Sequence, residues 1–170
     1  NEEGAPDWSF DGGSTDQGSL QDSDRILKPV RLYDDPFSSN FLDNKIAFCE
    51  VFGSNGEPHE SNSRSLLRQA VDDDVSDLEF WFGFEQEYTL MDAESEVPIA
   101  FSRKDPKPQG SYYCGVGFEN IIARHIVEEH AFGCYIAGVT LAGTNAEVMP
   151  GQWEYQTSPA DPLIAADNLW

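Results

Sequence analysis

The sequence predicts an α+β fold, with a small strand-rich N-terminal piece followed by a sheet that packs against at least one long helix. Three observations predict it. Two β-rich runs, 25–33 and 45–52, are closed by turn signals at Asp34-Asp35-Pro36 and Gly53-Ser54-Asn55-Gly56. A stretch from about Glu119 to Ala137 carries Phe118, Ile121, Ile122 and Ile126 at i, i+3, i+4 and i+8, and Gly138 marks its stop. The 170 residues show no internal repeat, and 39% hydrophobic content is enough for a core in one domain or two small ones.

Residues 1–24 are rich in Gly, Ser and Asp, and Asp11-Gly12-Gly13-Ser14-Thr15-Asp16 is the tightest loop signal. The strand at 25–33 comes next, and the strand at 45–52 places Ile46, Phe48, Val51 and Phe52 in a β-favouring run. Ser61 or Asn62 can cap a short helix carrying Leu66, Leu67 and Ala70. Asp72-Asp73-Asp74 through Asp77 reads as an exposed acidic turn, and 80–90 as a strand. A Pro- and Lys-containing loop over 98–108 leads through Tyr112-Tyr113-Cys114-Gly115 to the long helix.

Charge narrows the partners. Thirty-one acidic against ten basic residues give a net charge of −21. Nucleic acid is excluded as a partner, because phosphate binding needs a basic patch, and an anionic membrane surface is disfavoured for the same reason. No apolar run approaches a membrane span, and the first residues do not read as a signal peptide. Cys49, Cys114 and Cys134 are odd in number and lack C-x-x-C spacing, which suggests buried, reduced thiols of a cytosolic protein.

Several weak motifs carry no chemistry. Gly115-x-Gly117 lacks the third glycine and trailing acid of a dinucleotide loop and reads as a tight turn. His125 and His130 stand five apart on the predicted helix, which is not one face, so a structural role fits each better than shared metal ligation.

The glutamates are stronger. Glu85 and Glu87 are two apart and share one face of a strand. Glu147 and Glu154 flank Pro150-Gly151 symmetrically. If that pair forms the hairpin turn, 149 meets 152, 148 meets 153, and the two glutamates stand opposite each other, with Cβ atoms roughly 5 Å apart. Like charges there repel, and a divalent cation resolves the conflict. Carboxylate-only ligation suits Mg²⁺ or Mn²⁺ rather than zinc and favours phosphoryl transfer, whereas solvated strand carboxylates remain the plain alternative.

Longer motifs then carry a resemblance. Residues 81–90, 108–117 and 143–156 resemble glutamine synthetase of the eukaryote-like second class. Trp8-Ser9-Phe10-Asp11-Gly12-Gly13-Ser14-Thr15, Leu27-Lys28-Pro29-Val30 and Cys49-Glu50-Val51 are similar to its N-terminal domain, and Ile126-Val127-Glu128-Glu129-His130 to its first catalytic-domain helix. The resemblance implies a partial β-grasp domain over 1–61. Residues 62–170 would be the first part of the catalytic α/β domain, an antiparallel sheet with packing helices. It also implies a cytoplasmic ATP-dependent ligase that joins ammonium to L-glutamate through γ-glutamyl phosphate, working as a homo-oligomeric ring with active sites between subunits.

By the same resemblance, two or more Mg²⁺ or Mn²⁺ ions serve each site. Glu87, Glu147 and Glu154 hold the ion on the glutamate side, and Glu85 contributes to the ion on the ATP side. Trp81 and the segment Glu154, Tyr155, Gln156, Thr157, Ser158 and Pro159 line the nucleotide pocket. Asp11 helps deprotonate ammonium in a neighbouring subunit's site, with Ser14 supporting its loop. Thr157-Ser158, Gly13 and Ser111 depart from the usual residues, and Thr157-Ser158 touches the nucleotide contacts. Family members are about twice as long, in keeping with two-domain sizes. The remaining half would supply a histidine and a last glutamate for the ATP-side ion, an Asn-Gly-x-Gly substrate loop and phosphate-binding arginines, so the 170 residues alone are expected to be inactive. The alternatives are a non-catalytic acidic assembly domain and a related carboxylate–amine ligase acting on another amine.

Overall fold

The computed structural model describes residues 4–38, 44–71, 73–99, 101 and 106–170. The chain is mixed α and β, and it divides into two compact units, Asn1–Phe80 and Trp81–Trp170, each built on a three-stranded antiparallel sheet. The boundary expected between 61 and 62 is a domain boundary by family likeness; the division by compactness falls at Phe80/Trp81 and leaves the helix after residue 61 in the first unit.

In the first unit the sheet order follows the chain: β1 (Trp8–Asp11), β2 (Asp24–Asp34), β3 (Lys45–Gly53). The two longer strands coincide with the predicted ones. β1 arises inside the stretch read as loop-rich, because its four residues alternate too briefly to stand out and gain their partners from β2. Pro29 sits where the β2–β3 register shifts between Pro29 and Arg31, a bulge that spares the ladder a missing N–H. Helix α1 (Ser63–Ala70) starts after Asn62, at the expected place, but the Asn62 side chain makes no capping bond and donates to Val51 O at 3.3 Å instead; α2 (Asp73–Ser76) lies in the acidic stretch, whose Asp72 falls outside the described residues.

Helix α1 brings two arginines onto one buried carboxylate. Glu50 of β3 is 1% exposed, Arg64 Nη1 donates to its Oε1 at 2.6 Å, and Arg68 Nη2 donates to its Oε2 at 3.0 Å. Burial pushes the Glu50 carboxyl up, but the hydrogen bonds and charges of Arg68 and Arg64 outweigh it and hold the group below its ordinary value.

In the second unit β6 (Gln152–Thr157) is the central strand, between β4 (Glu85–Thr89) and β5 (Leu141–Ala146). Helix α3 (Arg124–Ala137) packs on one face, where Val127, Ala146 and Trp153 form a core with Tyr88, Leu90 and Ile121 around it. A second cluster joins Tyr112 and Ile122 to Ile99 and Ala123. The Trp153 indole N–H, its ring 1% exposed, donates to the Ile122 carbonyl at 3.0 Å and ties the two clusters together.

That tie shortens the predicted helix. Ile122 is committed to the second cluster, Ala123 turns through the left-handed region at φ 61°, and the helix starts at Arg124 rather than near Glu119. Phe118, counted on the apolar stripe, is 91% exposed, and the residue of α3 that is buried is Val127. The stop at Gly138 holds: at φ 85° its N–H bonds the Tyr135 carbonyl, while the Val139 N–H reaches Cys134 O at 2.8 Å, closing the last turn. The strand expected over 80–90 forms only from Glu85, because Phe82 makes an isolated bridge to Ala160 instead. In the loop predicted over 98–108, residues 100 and 102–105 lie outside the described residues.

The final helix, α4 (Pro162–Leu169), begins with Asp161 capping Leu163 N at 3.0 Å and Ile164 N at 3.5 Å, and with proline at its first position. Replacing Asp161 by Ala is expected to cost about 1 kcal/mol. That corresponds to a fall in melting temperature of about 4–8 °C for a unit of this size, measured by calorimetry.

Among the described residues no helix is long and apolar enough to cross a membrane. The three cysteines are free of disulfides as expected, but Cys114 is exposed and Cys49 and Cys134 are half-buried, so the expectation of buried thiols is corrected.

Candidate metal centre

The face of the second sheet opposite α3 is polar, and pairing across it gathers the carboxylates. Glu87 of β4 stands directly opposite Glu154 of β6, and Glu154 stands opposite Asn145 of β5. Directly paired residues of antiparallel strands share a face, so all three point the same way, together with Glu85 and Gln156 one pair along. Trp153 and Tyr155 alternate to the other face, where Tyr155 lies 5.1 Å from the His130 ring and 6.2 Å from that of Tyr88.

The predicted hairpin register is corrected. Pro150-Gly151 does form the turn: Gln152 N donates to Met149 O at 3.0 Å, and Gly151 takes φ 78°, the conformation a Pro-Gly type II turn needs. The ladder, however, resumes with Glu147 N to Gln152 O at 2.9 Å, and Ala146 pairs with Trp153. Val148 and Met149 are accommodated on one side of the turn, so Glu147 sits diagonally from Glu154 rather than opposite it. A shift of two residues keeps the face. The carboxylate that faces Glu154 squarely is Glu87.

The outcome is a three-carboxylate cluster. One oxygen each from Glu87, Glu147 and Glu154 lie within 4.8 Å of one another, with Glu147 and Glu154 only 7% and 8% exposed and Glu87 open to solvent. Burial pushes the Glu147 carboxyl up. The Val148 amide opposes the rise at 3.1 Å, whereas hydrogen bonding to Glu154 and the charges of Glu87 and Glu154 add to it. Three hard, anionic oxygens converging from separate strands, two of them desolvated, fit a divalent cation such as Mg²⁺ or Mn²⁺. The donors around them are neutral amides: Gln152 Nε2 to Glu87 Oε2 at 2.6 Å, Asn145 Nδ2 to Glu147 Oε1 at 3.3 Å, and Gln156 Nε2 to Glu154 Oε1.

The other residues singled out from sequence fall as follows. Glu85 shares the polar face but stays outside the cluster and is exposed. Trp81 is 76% exposed. Thr157 is buried, its hydroxyl accepting from Phe84 N at 3.0 Å, and Ser158 N bonds Thr140 O at 3.0 Å. Pro159 packs beside Gly83, whose absent Cβ would meet the Pro159 ring at 3.6 Å. In the first unit Asp11 caps a single 3-10 turn, accepting from Gly13 N at 2.9 Å and from the Ser14 hydroxyl at 3.3 Å.

Sequence reasoning missed Asn145 and Gln152 as partners of the carboxylates; both sit within two residues of a predicted ligand, a signal available in the motif. It also missed how close Tyr113 lies. Cys114 N bonds Ala146 O at 2.8 Å and Gly110 N bonds Val148 O at 2.7 Å, which hold the 110–114 segment along the end of β5. Charge at Cys114 first and then at Glu147, with a smaller contribution from Glu154, pushes the Tyr113 hydroxyl up.

Comparison with known proteins adds what geometry cannot. No protein-family model matches the chain. A chloroplastic glutamine synthetase of Chlamydomonas reinhardtii is 46% identical over 165 residues, 96% of this chain and 43% of its own length. Glutamine synthetase 1, mitochondrial, of Drosophila melanogaster is 47% identical over 169 residues, 99% of this chain and 41% of its own length. Glutamine synthetase of Mus musculus is 46% identical over 97% of this chain. A solved GmaS/ADP complex superposes with a TM-score of 0.67 at 17% identity, covering 94% of this chain and 36% of that one, a likeness of fold. The chain spans less than half the length of the curated relatives it matches, and over that span it is similar to glutamine synthetases.

Proposed function

We propose that the chain forms part of a glutamine synthetase, which ligates ammonia to L-glutamate at the expense of ATP through γ-glutamyl phosphate and releases ADP and phosphate. The observation that carries this reading is the convergence of Glu87, Glu147 and Glu154 within 4.8 Å on one sheet face, in segments that match glutamine synthetases. In this reading the three carboxylates hold Mg²⁺ or Mn²⁺ on the glutamate side, and Glu85 contributes to a second ion on the ATP side. Bound there, the ions supply positive charge to phosphoryl and carboxylate oxygens. Trp81 and the segment Glu154 to Pro159 border the nucleotide, with the polar-face residues Glu154 and Gln156 presented towards it and Thr157 bracing the strand end through Phe84.

Asp11, held by Gly13 N and the Ser14 hydroxyl, is a fixed carboxylate suited to draw a proton from ammonium. It would act in a neighbouring subunit's site, within a cytoplasmic homo-oligomeric ring. Residues 1–61 correspond to part of a β-grasp domain, and residues 62–170 to the opening of the catalytic domain. The net charge of −21 suits a cationic substrate and disfavours nucleic acid or an anionic membrane as partner.

Titration of the full chain with Mn²⁺, followed by the loss of the free-ion EPR signal, tests the reading. One saturable site in competition with Mg²⁺ is the expected result. A chain that leaves the free Mn²⁺ signal unchanged at millimolar ion would overturn it.

A further inference from the structure

The three carboxylates repel one another, yet each is fixed by a neutral amide. Gln152, at the start of β6, reaches across to Glu87 of β4 and donates to its Oε2 at 2.6 Å. Gln156 Nε2 donates to Glu154 Oε1 and also to Asn145 Oδ1 at 2.7 Å, and Asn145 in turn donates to Glu147 Oε1 at 3.3 Å. The links run in one connected line, Gln156 to Asn145 to Glu147, with Glu154 hanging from the same Gln156 amide. Carboxylates accept and cannot donate once ionised, while an amide can do both. A carboxamide can therefore relay order from one carboxylate to the next without adding charge.

The Gln156 amide also lies close against the backbone of β5. Gly143 pairs with Gln156 across β5 and β6, and a Cβ built at Gly143 would lie 3.0 Å from Gln156 Oε1, closer than ordinary contact. With no side chain at 143, the Gln156 carboxamide lies flat over β5, its oxygen towards Gly143 and its nitrogen towards Glu154 and Asn145. Gly143 is not in the left-handed region, so backbone conformation does not demand glycine there. A methyl at 143 would instead press on Gln156 Oε1 and displace that carboxamide by a few tenths of an ångström.

We propose that Asn145, Gln152 and Gln156, with Gly143 as the clearance for Gln156, are positioning residues that hold Glu87, Glu147 and Glu154 in the geometry that receives the divalent cation. This rests on the metal-site reading above. It predicts an amide layer beneath the ion that sets affinity without touching it, as partners of metal ligands do elsewhere. It also assigns Gln156 a role through Glu154, in addition to its place along the nucleotide segment.

The test compares Gln152→Met, Gln156→Met and Gly143→Ala in the full chain. The methionines keep side-chain volume and remove the donors, while Gly143→Ala keeps every donor and displaces one. Mn²⁺ affinity is read by EPR, the water count on bound Mn²⁺ by proton relaxation, and the metal-free melting temperature by calorimetry. Affinity is expected to fall about 10–100-fold in each variant, with a changed water count and a melting temperature close to the parent's. Affinities within threefold of the parent across the variants that fold would overturn the inference, as would affinity losses that track loss of metal-free stability. Failure of the parent itself to bind Mn²⁺ would sink the metal-site reading instead, so the two failures are distinguishable.

Discussion

Glu154→Gln should lower Mn²⁺ affinity of the full chain by more than a hundredfold, beyond the 10–100-fold typical of losing an outer partner, and at the same time raise the stability of the metal-free protein. Glu154 is the hub of the cluster: it faces Glu87 across β4–β6, lies diagonally from Glu147, and is buried. Removing its charge takes away a direct ligand and the middle term of two repulsions. Glutamine keeps the volume, so cavity formation does not obscure the second effect. The two readouts move in opposite directions, which ordinary destabilisation cannot imitate. Isothermal titration with Mn²⁺ beside metal-free calorimetry checks the pair, and a variant that lost both affinity and stability would contradict the account.

The second large effect lies in the first unit. Replacing Arg64 and Arg68 together by Ala should cost about 3–5 kcal/mol, because a carboxylate at 1% exposure loses its charged partners while remaining buried. Arg68 is about half exposed, which argues for the lower end. The pH dependence gives the sharper test. In the parent the Glu50 carboxyl is held below its ordinary value, so its contribution is present above about pH 4.3 and is lost as the pH falls through the folded value. Without the arginines, burial alone acts and drives the carboxyl up. The double variant should then gain stability on mild acidification, where the parent loses it. Melting temperatures between pH 7 and pH 4 would show whether the slopes have opposite signs; parallel slopes would mean that the buried pair does not set them.

Much of the site was legible in the sequence, and the misses share a physical cause. That these glutamates gather on one face followed from period-two spacing and the Pro-Gly turn, both local facts, and the grouping of Glu87 with Glu147 and Glu154 from the family resemblance. The site's geometry did not, because register depends on how many residues the turn absorbs, and Val148 and Met149 were absorbed on one side. Strands β2 and β3 of the first unit were legible because β-favouring runs stand between clear turn signals. The start of α3 was not: Phe118, Ile121 and Ile122 have helical spacing, but Trp153, some thirty residues on, claims the Ile122 carbonyl and pins the chain before the helix begins. Helix α4 carried a usable signal in Asp161-Pro162 before Leu163 and Ile164, capping residue and proline in their preferred order. The roles of Asn145 and Gln152 needed three strands in view at once.

Strand β6 spells two messages in alternate letters. Trp153 and Tyr155 belong to the α3 side, Glu154 and Gln156 to the polar face with its carboxylates, and both sets ride on one run of six residues at the centre of the sheet. Inserting or deleting one residue there would exchange the two readings wholesale, driving carboxylates into the core and an indole into the carboxylate cluster. The strand therefore tolerates letter-by-letter change but not a shift of frame. Loss of the core and loss of the site would arrive as a single event.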